Sequence, residues 1–165
     1  MNTEITSYVS KSFYEPYGIT LKSSKSPEYH SCSIEKIIIP SKNDVLWQDY
    51  NPAEAMKVAE IALKYSKMGK SVAVVTPYRK QVNCIRTCVK DLFEREGLMN
   101  TQPIIDTVER LQGQDVDVII LSFSISDDAY YATQRSFLLN PNRLNVMISR
   151  AKQKVVIIKS DIVNI

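Results

Sequence analysis

The sequence predicts an α/β domain built on a mainly parallel sheet with helices on both faces. Three observations carry that expectation. Val118-Ile119-Ile120-Leu121 and Val155-Val156-Ile157-Ile158 are apolar at every position, as strands buried on both faces are, whereas half-exposed strands alternate. Five strand candidates are each separated by a helix or a long connection, and parallel neighbours require such crossovers. Apolar residues make up 44% and charged residues 24% of 165 positions, which suits one ordinary globular domain with a good core.

The elements follow in order. Thr3 to Tyr14 spaces Ile5, Val9 and Phe13 four apart, the stripe of a short helix, with Thr3 as the expected cap. Glu15 to Ser33 lacks periodicity and reads as a surface connection, so residues 1–33 form an entry helix and its link to a core over 34–160. Ile34 to Pro40 has the profile of a short buried strand, and the loop after it holds the only tryptophan, Trp47. Pro52 to Lys67 carries Ala55, Val58, Ile61, Ala62 and Tyr65 at helical spacing, with Asn51 as cap, Pro52 in the first turn and Gly69 at the end.

Ser71 to Thr76 is the next strand, and Pro77-Tyr78 opens a helix whose buried stripe is Val82, Ile85, Val89, Leu92 and Phe93. Arg79, Lys80, Arg86 and Lys90 lie outside that stripe. Ile104 to Asp106 is a strand, followed by one helical turn, Gly113 and the apolar strand to Ser122. Ser122 to Tyr131 reads as an acidic, aromatic loop, and its Asp127-Asp128 pair offers too few oxygens for a divalent-ion site. The chain then runs through a polar stretch, Asn142 to Lys152, into its last strand.

Several function classes drop out. A net charge of +3 permits an anionic partner without demanding one. Cys32, Cys84 and Cys88 form no paired framework, and with one histidine no metal set is expected. No signal peptide or membrane-length apolar run occurs, so an intracellular place, cytoplasmic or nuclear, is expected, with no membrane partner. Gly69-Lys70-Ser71 imitates a phosphate-binding P-loop, but Lys64 stands where the pattern needs glycine, and the order is helix-loop-strand instead of strand-loop-helix.

Two polar stretches remain. Asp106 to Asp117 surrounds Gly113, whose missing Cβ permits a tight turn or a close approach to a ligand, with the amides of Gln112 and Gln114 on either side. Such polar groups are expected at the carboxyl edge of the sheet, where open α/β sheets place ligands. The local alternative is a tight turn capped by polar residues. T-V-E-R-L-Q-G-Q-D at Thr107 to Asp115 and R-L-N-V-M-I-S-R-A-K at Arg143 to Lys152 resemble motifs V and VI of superfamily 1 helicases. The likeness is to the subgroup of the nonsense-mediated-decay helicase and the lagging-strand nuclease-helicase. Val74-Val75-Thr76-Pro77-Tyr78-Arg79-Lys80-Gln81 resembles its motif IV, in the family's order.

The resemblance implies a RecA-like fold of the P-loop-NTPase type that lacks its own P-loop, spanning residues 1–165 as a second motor domain. In such motors ATP and Mg²⁺ lie between two RecA-like domains and are held mainly by the first, which this chain does not include. Arg150 takes the place of the arginine finger, a suitable residue because it stays charged and forks onto phosphate oxygens. Arg143, seven residues earlier, shares its helix face beside a Leu144, Ile148 and Ala151 stripe. Gly113 is implied near the nucleotide. Asp115 stands where the family generally has a ribose-binding glutamate, and Gln112 and Gln114 would link the nucleotide to the strand track.

Val82 replaces the arginine that some relatives place after the motif IV glutamine, which leaves Arg79 as either a substitute or an exposed helix-start residue. Thr76, Pro77, Tyr78 and Thr107 are implied contacts for single-stranded nucleic acid, through phosphate and sugar, with Tyr78 either stacking on a base or capping the sheet. The partners implied are thus a first RecA-like domain of the same parent chain and a nucleic-acid strand. The expected function is the C-terminal motor domain of an ATP-dependent helicase, inactive alone. The alternative is a nucleic-acid-binding α/β module without motor activity.

Overall fold

The computed structural model describes residues 1–23, 33–41, 45–111 and 113–164. Gln112 and Cys32 therefore lie outside the described residues. Five strands, β1 (Ile34–Ile39), β2 (Val72–Val75), β3 (Ile104–Asp106), β4 (Val116–Ser122) and β5 (Ala151–Ser160), form one sheet in the order β1-β5-β4-β2-β3. Every pairing is parallel. Alternation along the central strands builds two cores: Ala73, Val75, Ile119, Leu121, Val155 and Ile157 face one side, and Val72, Val74, Val118, Ile120, Val156 and Ile158 the other.

Helices α2 (Pro52–Lys67) and α3 (Arg79–Arg95) cover the second of these faces. The first is covered by α1 (Thr3–Val9), α4 (Asp128–Leu138), α5 (Pro141–Ser149) and the turn at Val108–Arg110. Helix α2 begins and ends where expected. Asn51 accepts from the N–H groups of Ala53 and Glu54, Pro52 occupies the first turn, and Gly69, with φ of 71°, follows the helix in the left-handed conformation. Ser71 of the false P-loop is engaged elsewhere: its N–H and Oγ donate to the Asp117 carboxylate at 2.9 and 2.7 Å.

Four expectations are corrected. The cap of α1 is Asn2 instead of Thr3: its Oδ1 accepts from the Ile5 N–H, while its Nδ2 donates to Ser33 Oγ and the Gln153 carbonyl, tying the helix to the sheet. Strand β1 is an edge strand, with β5 on one side, so its three isoleucines are not buried, and Ile38 is 55% exposed. The acidic stretch is not all loop, because Asp127 caps α4 by accepting from the Tyr130 N–H and Asp128 fills its first turn. Ala151 opens β5, so the buried stripe of α5 is Leu144, Met147 and Ile148.

Candidate functional site

Since β3 and β4 run the same way, the chain between them must cross the sheet from a carboxyl end to an amino end. Residues 107–115 make that crossing next to α5, which runs in the opposite sense to the strand it feeds, β5. This geometry corrects the expectation of a single ligand edge. Gly113, Gln114, Asp115 and Arg150 sit at the amino ends of β4 and β5, whereas Thr76, Pro77, Tyr78 and Thr107 sit at the carboxyl ends of β2 and β3.

At the amino edge, Arg150 is the C-cap of α5, and its side chain is 35% exposed. Its Nη1 lies 3.3 Å from Asp115 Oδ1, while its Nε is buried without a partner. Gly113, at φ of 89°, adopts a conformation that L residues rarely take, and nothing lies within 4 Å of where its Cβ would be. Gln114 is exposed beside it. The rim is therefore open, with one half-free guanidinium, a carboxylate and an unobstructed backbone turn.

At the other end of α5, Arg143 is paired with Glu109, and its guanidinium lies 4.0 Å from the centroid of the Phe137 ring. Arg143 and Arg150 thus both reach the 107–115 segment, two turns apart, each held by a different carboxylate. Phe137 packs in turn on Tyr78, with ring centroids 6.1 Å apart. Burial, with Tyr130 and Asp49 nearby, pushes the Tyr78 hydroxyl pKa upward, so it stays protonated. Pro77 is half-buried, and Thr107 is nearly buried with its N–H donated to Asp106 Oδ1 at 2.8 Å. Thr76 is wholly buried and its hydroxyl has no partner, which places that hydroxyl inside the domain instead of on the surface expected of a phosphate contact. Arg79 is exposed in the first turn of α3, and Val82 faces the core.

Residues 1–161 match the family AAA_12, described as an AAA domain. The chain belongs to the AAA_12 family. This AAA_12 domain is 32% identical over 114 residues to the DNA replication ATP-dependent helicase/nuclease JHS1 of Arabidopsis thaliana, covering 67% of the chain and 8% of that protein. It is 30% identical over 161 residues to the uncharacterized ATP-dependent helicase MJ0104 of Methanocaldococcus jannaschii, covering 98% of the chain and 19% of that protein. It is 32% identical over 118 residues to human RNA helicase Mov10l1, covering 66% of the chain and 9% of that protein.

The AAA_12 domain thus spans less than a fifth of the length of these relatives. Among solved structures it resembles the C-terminal domain of a possible DNA helicase from Lactobacillus plantarum WCFS1, with a TM-score of 0.61, 11% identity, and coverage of 95% of this chain and 84% of that one. The fold is that of a helicase C-terminal RecA-like domain, as the motifs implied. No helix among the described residues is long and apolar enough to cross a membrane.

The sequence reading missed a buried polar group on the α2 and α3 side of the carboxyl edge. Glu54 and Gln81 are both 0% exposed. Glu54 Oε2 accepts from Ser122 Oγ and the Ser124 N–H, both at 2.8 Å, and its Oε1 has no partner. Burial pushes its pKa up to about 7 despite those hydrogen bonds and the Lys159 charge. Gln81 Nε2 donates to Ser122 Oγ and to the Asn51 carbonyl, and its Oε1 accepts from the Asn51 N–H at 2.8 Å. Gln81 closes the motif IV match, but apolar patterning gave no sign that either residue is buried, because each has the polar type that normally marks the wet face of a helix.

Proposed function

We propose that this domain is the second motor half of an ATP-dependent helicase, completing with its amino edge a nucleotide site held mainly by a first RecA-like domain of the same parent protein. The observation that carries the reading is Arg150, a guanidinium half-exposed at an open rim between the amino ends of β4 and β5. Only one weak, exposed carboxylate holds it there, so it can turn to a phosphate at small cost. Asp115 would accept from the ribose hydroxyls, and Gly113 would let the backbone come close to the nucleotide. Gln114 lies on the same exposed rim, while Arg79 stands on α3 as an exposed cation without an ion pair among the described residues.

When bound, ATP with Mg²⁺ supplies the phosphoryl group whose developing charge Arg150 stabilises. The donors here fit one flank of such a group and not the whole of it, since among the described residues neither strand-to-helix loop, 76–78 or 123–127, holds the glycines and lysine of a phosphate cradle. Single-stranded nucleic acid would lie on the carboxyl edge, against Pro77, Tyr78 and Thr107. Support for both assignments comes from the order of the motifs and from the helicases among the relatives. The test is Arg150→Ala in the full-length protein. Steady-state ATP turnover should fall by about 10³ to 10⁵-fold with nucleotide affinity nearly kept, and turnover within a few-fold of wild type would refute the finger assignment.

A further inference from the structure

The buried polar group is linked to the surface. Thr76 and Ser122 continue the β2–β4 register side by side, so both stand on the face that α2 and α3 cover, where Ser122 bonds to both Glu54 and Gln81. Ser124, which donates to Glu54, has φ of 62°, a left-handed conformation that is unfavourable for a non-glycine residue and persists only where neighbours hold it. Two residues on, the Ser126 N–H donates to the Trp47 carbonyl at 2.7 Å, and the Trp47 N–H donates back to Ser126 Oγ at 3.0 Å. Gln48 Nε2 adds a bond to the Asp127 carboxylate at 2.9 Å. Trp47 and Ser126, together with Pro40, Ser41, Val45 and Asn51, line a cavity of about 420 Å³ at the carboxyl ends of β1 and β4. Asn51 is the residue clamped by Gln81.

We propose that Glu54 and Gln81 are positioning residues that brace the strained β4–α4 turn and, through Ser126 and Asn51, set the walls of the Trp47 cavity. Glu54 pulls the Ser124 N–H inward, Gln81 fixes the start of α2, and the two meet at the Ser122 hydroxyl. The cavity opens on the edge assigned above to nucleic acid, so the service this brace performs for binding rests on that reading; the brace itself does not. Glu54 is faced by Lys159 from β5, whose ammonium donates to the Ser160 and Val163 carbonyls, by Ser122 and Ser124 from β4 and its turn, and by Gln81 from α3. Loss of the Glu54 proton leaves a buried charge with one unpartnered oxygen, which favours opening of the turn.

Trp47 is the only tryptophan, so its emission reads the cavity directly. The experiment uses the chain in a His30→Gln background, which removes the one histidine and its titration. Emission should shift to the red between pH 6 and pH 8 in the parent and stay flat in Glu54→Gln, which keeps the acceptor and cannot ionise. Gln81→Ala should speed hydrogen exchange at the Ser124 and Ser126 amides by about tenfold at either pH. An unchanged Trp47 titration in Glu54→Gln, or unchanged exchange in Gln81→Ala, would overturn the brace. Anisotropy of a fluorescein-labelled oligothymidylate reads the nucleic-acid reading separately: if the parent binds none while Trp47 still titrates through Glu54, the brace stands and that reading falls.

Discussion

Arg150 and Asp115 hold each other at the amino edge over 3.3 Å, with the carboxylate 60% exposed. A pair that wet contributes at most about 1 kcal/mol to folding. Asp115→Ala should therefore leave the melting temperature nearly unchanged while raising the KM for ATP in the full-length protein, and a large fall in melting temperature would assign the pair a structural role instead. Glu54 behaves in the opposite way. Its carboxyl pKa is raised in the folded state, from 4.5 to about 7, so the folded chain binds more protons than the unfolded one across that interval. Stability is fully present below the unfolded value and is lost as pH rises through about 7, by roughly 3 kcal/mol in total. Urea denaturation at pH 5 and pH 8 should register that loss in the parent and a much smaller one in Glu54→Gln.

Element boundaries were legible where one residue type has one mechanical use. Asn51 before Pro52 announces a helix start, and the structure gives Asn51 two amide bonds. Asn51→Ala should cost about 1–2 kcal/mol in chemical denaturation; a loss below a few tenths would mean that Gln81 alone fixes this end of α2. The turn at Val108–Arg110, Gly113 and β4 were equally plain, since an apolar run after a glycine has few alternatives. Helix α4 was hidden because its acidic start and its tyrosines imitate a loop, although Asp127 is a cap by chemistry. Strand β1 misled for another reason: three isoleucines in a row signal strand, yet nothing local reveals that the strand lies at an edge. Glu54 was illegible because it sits on α2 near Lys57 and Glu60, an exposed ion pair, and charge spacing does not disclose depth.

At the scale of the whole domain, the parallel order β1-β5-β4-β2-β3 sends every crossover over one face or the other and leaves two usable edges. The motifs named candidate residues but not that these divide between the two edges, because the division follows from strand direction, which no single motif carries. On the proposed reading the domain supplies only one flank of a nucleotide site, so the chain alone should release no phosphate from ATP above background in a colorimetric assay, with or without added oligonucleotide. Turnover by the isolated chain would contradict the two-domain reading.

Helix α5 carries Arg143 in its first turn near one edge and Arg150 at its C-cap near the other, seven residues and about 10 Å apart along the axis. A rod of that length neither stretches nor compresses under loads of a few kcal/mol. The helix backbone therefore fixes the spacing of the two arginine Cα positions, and with it the separation of the places where each side chain leaves the rod for its own rim.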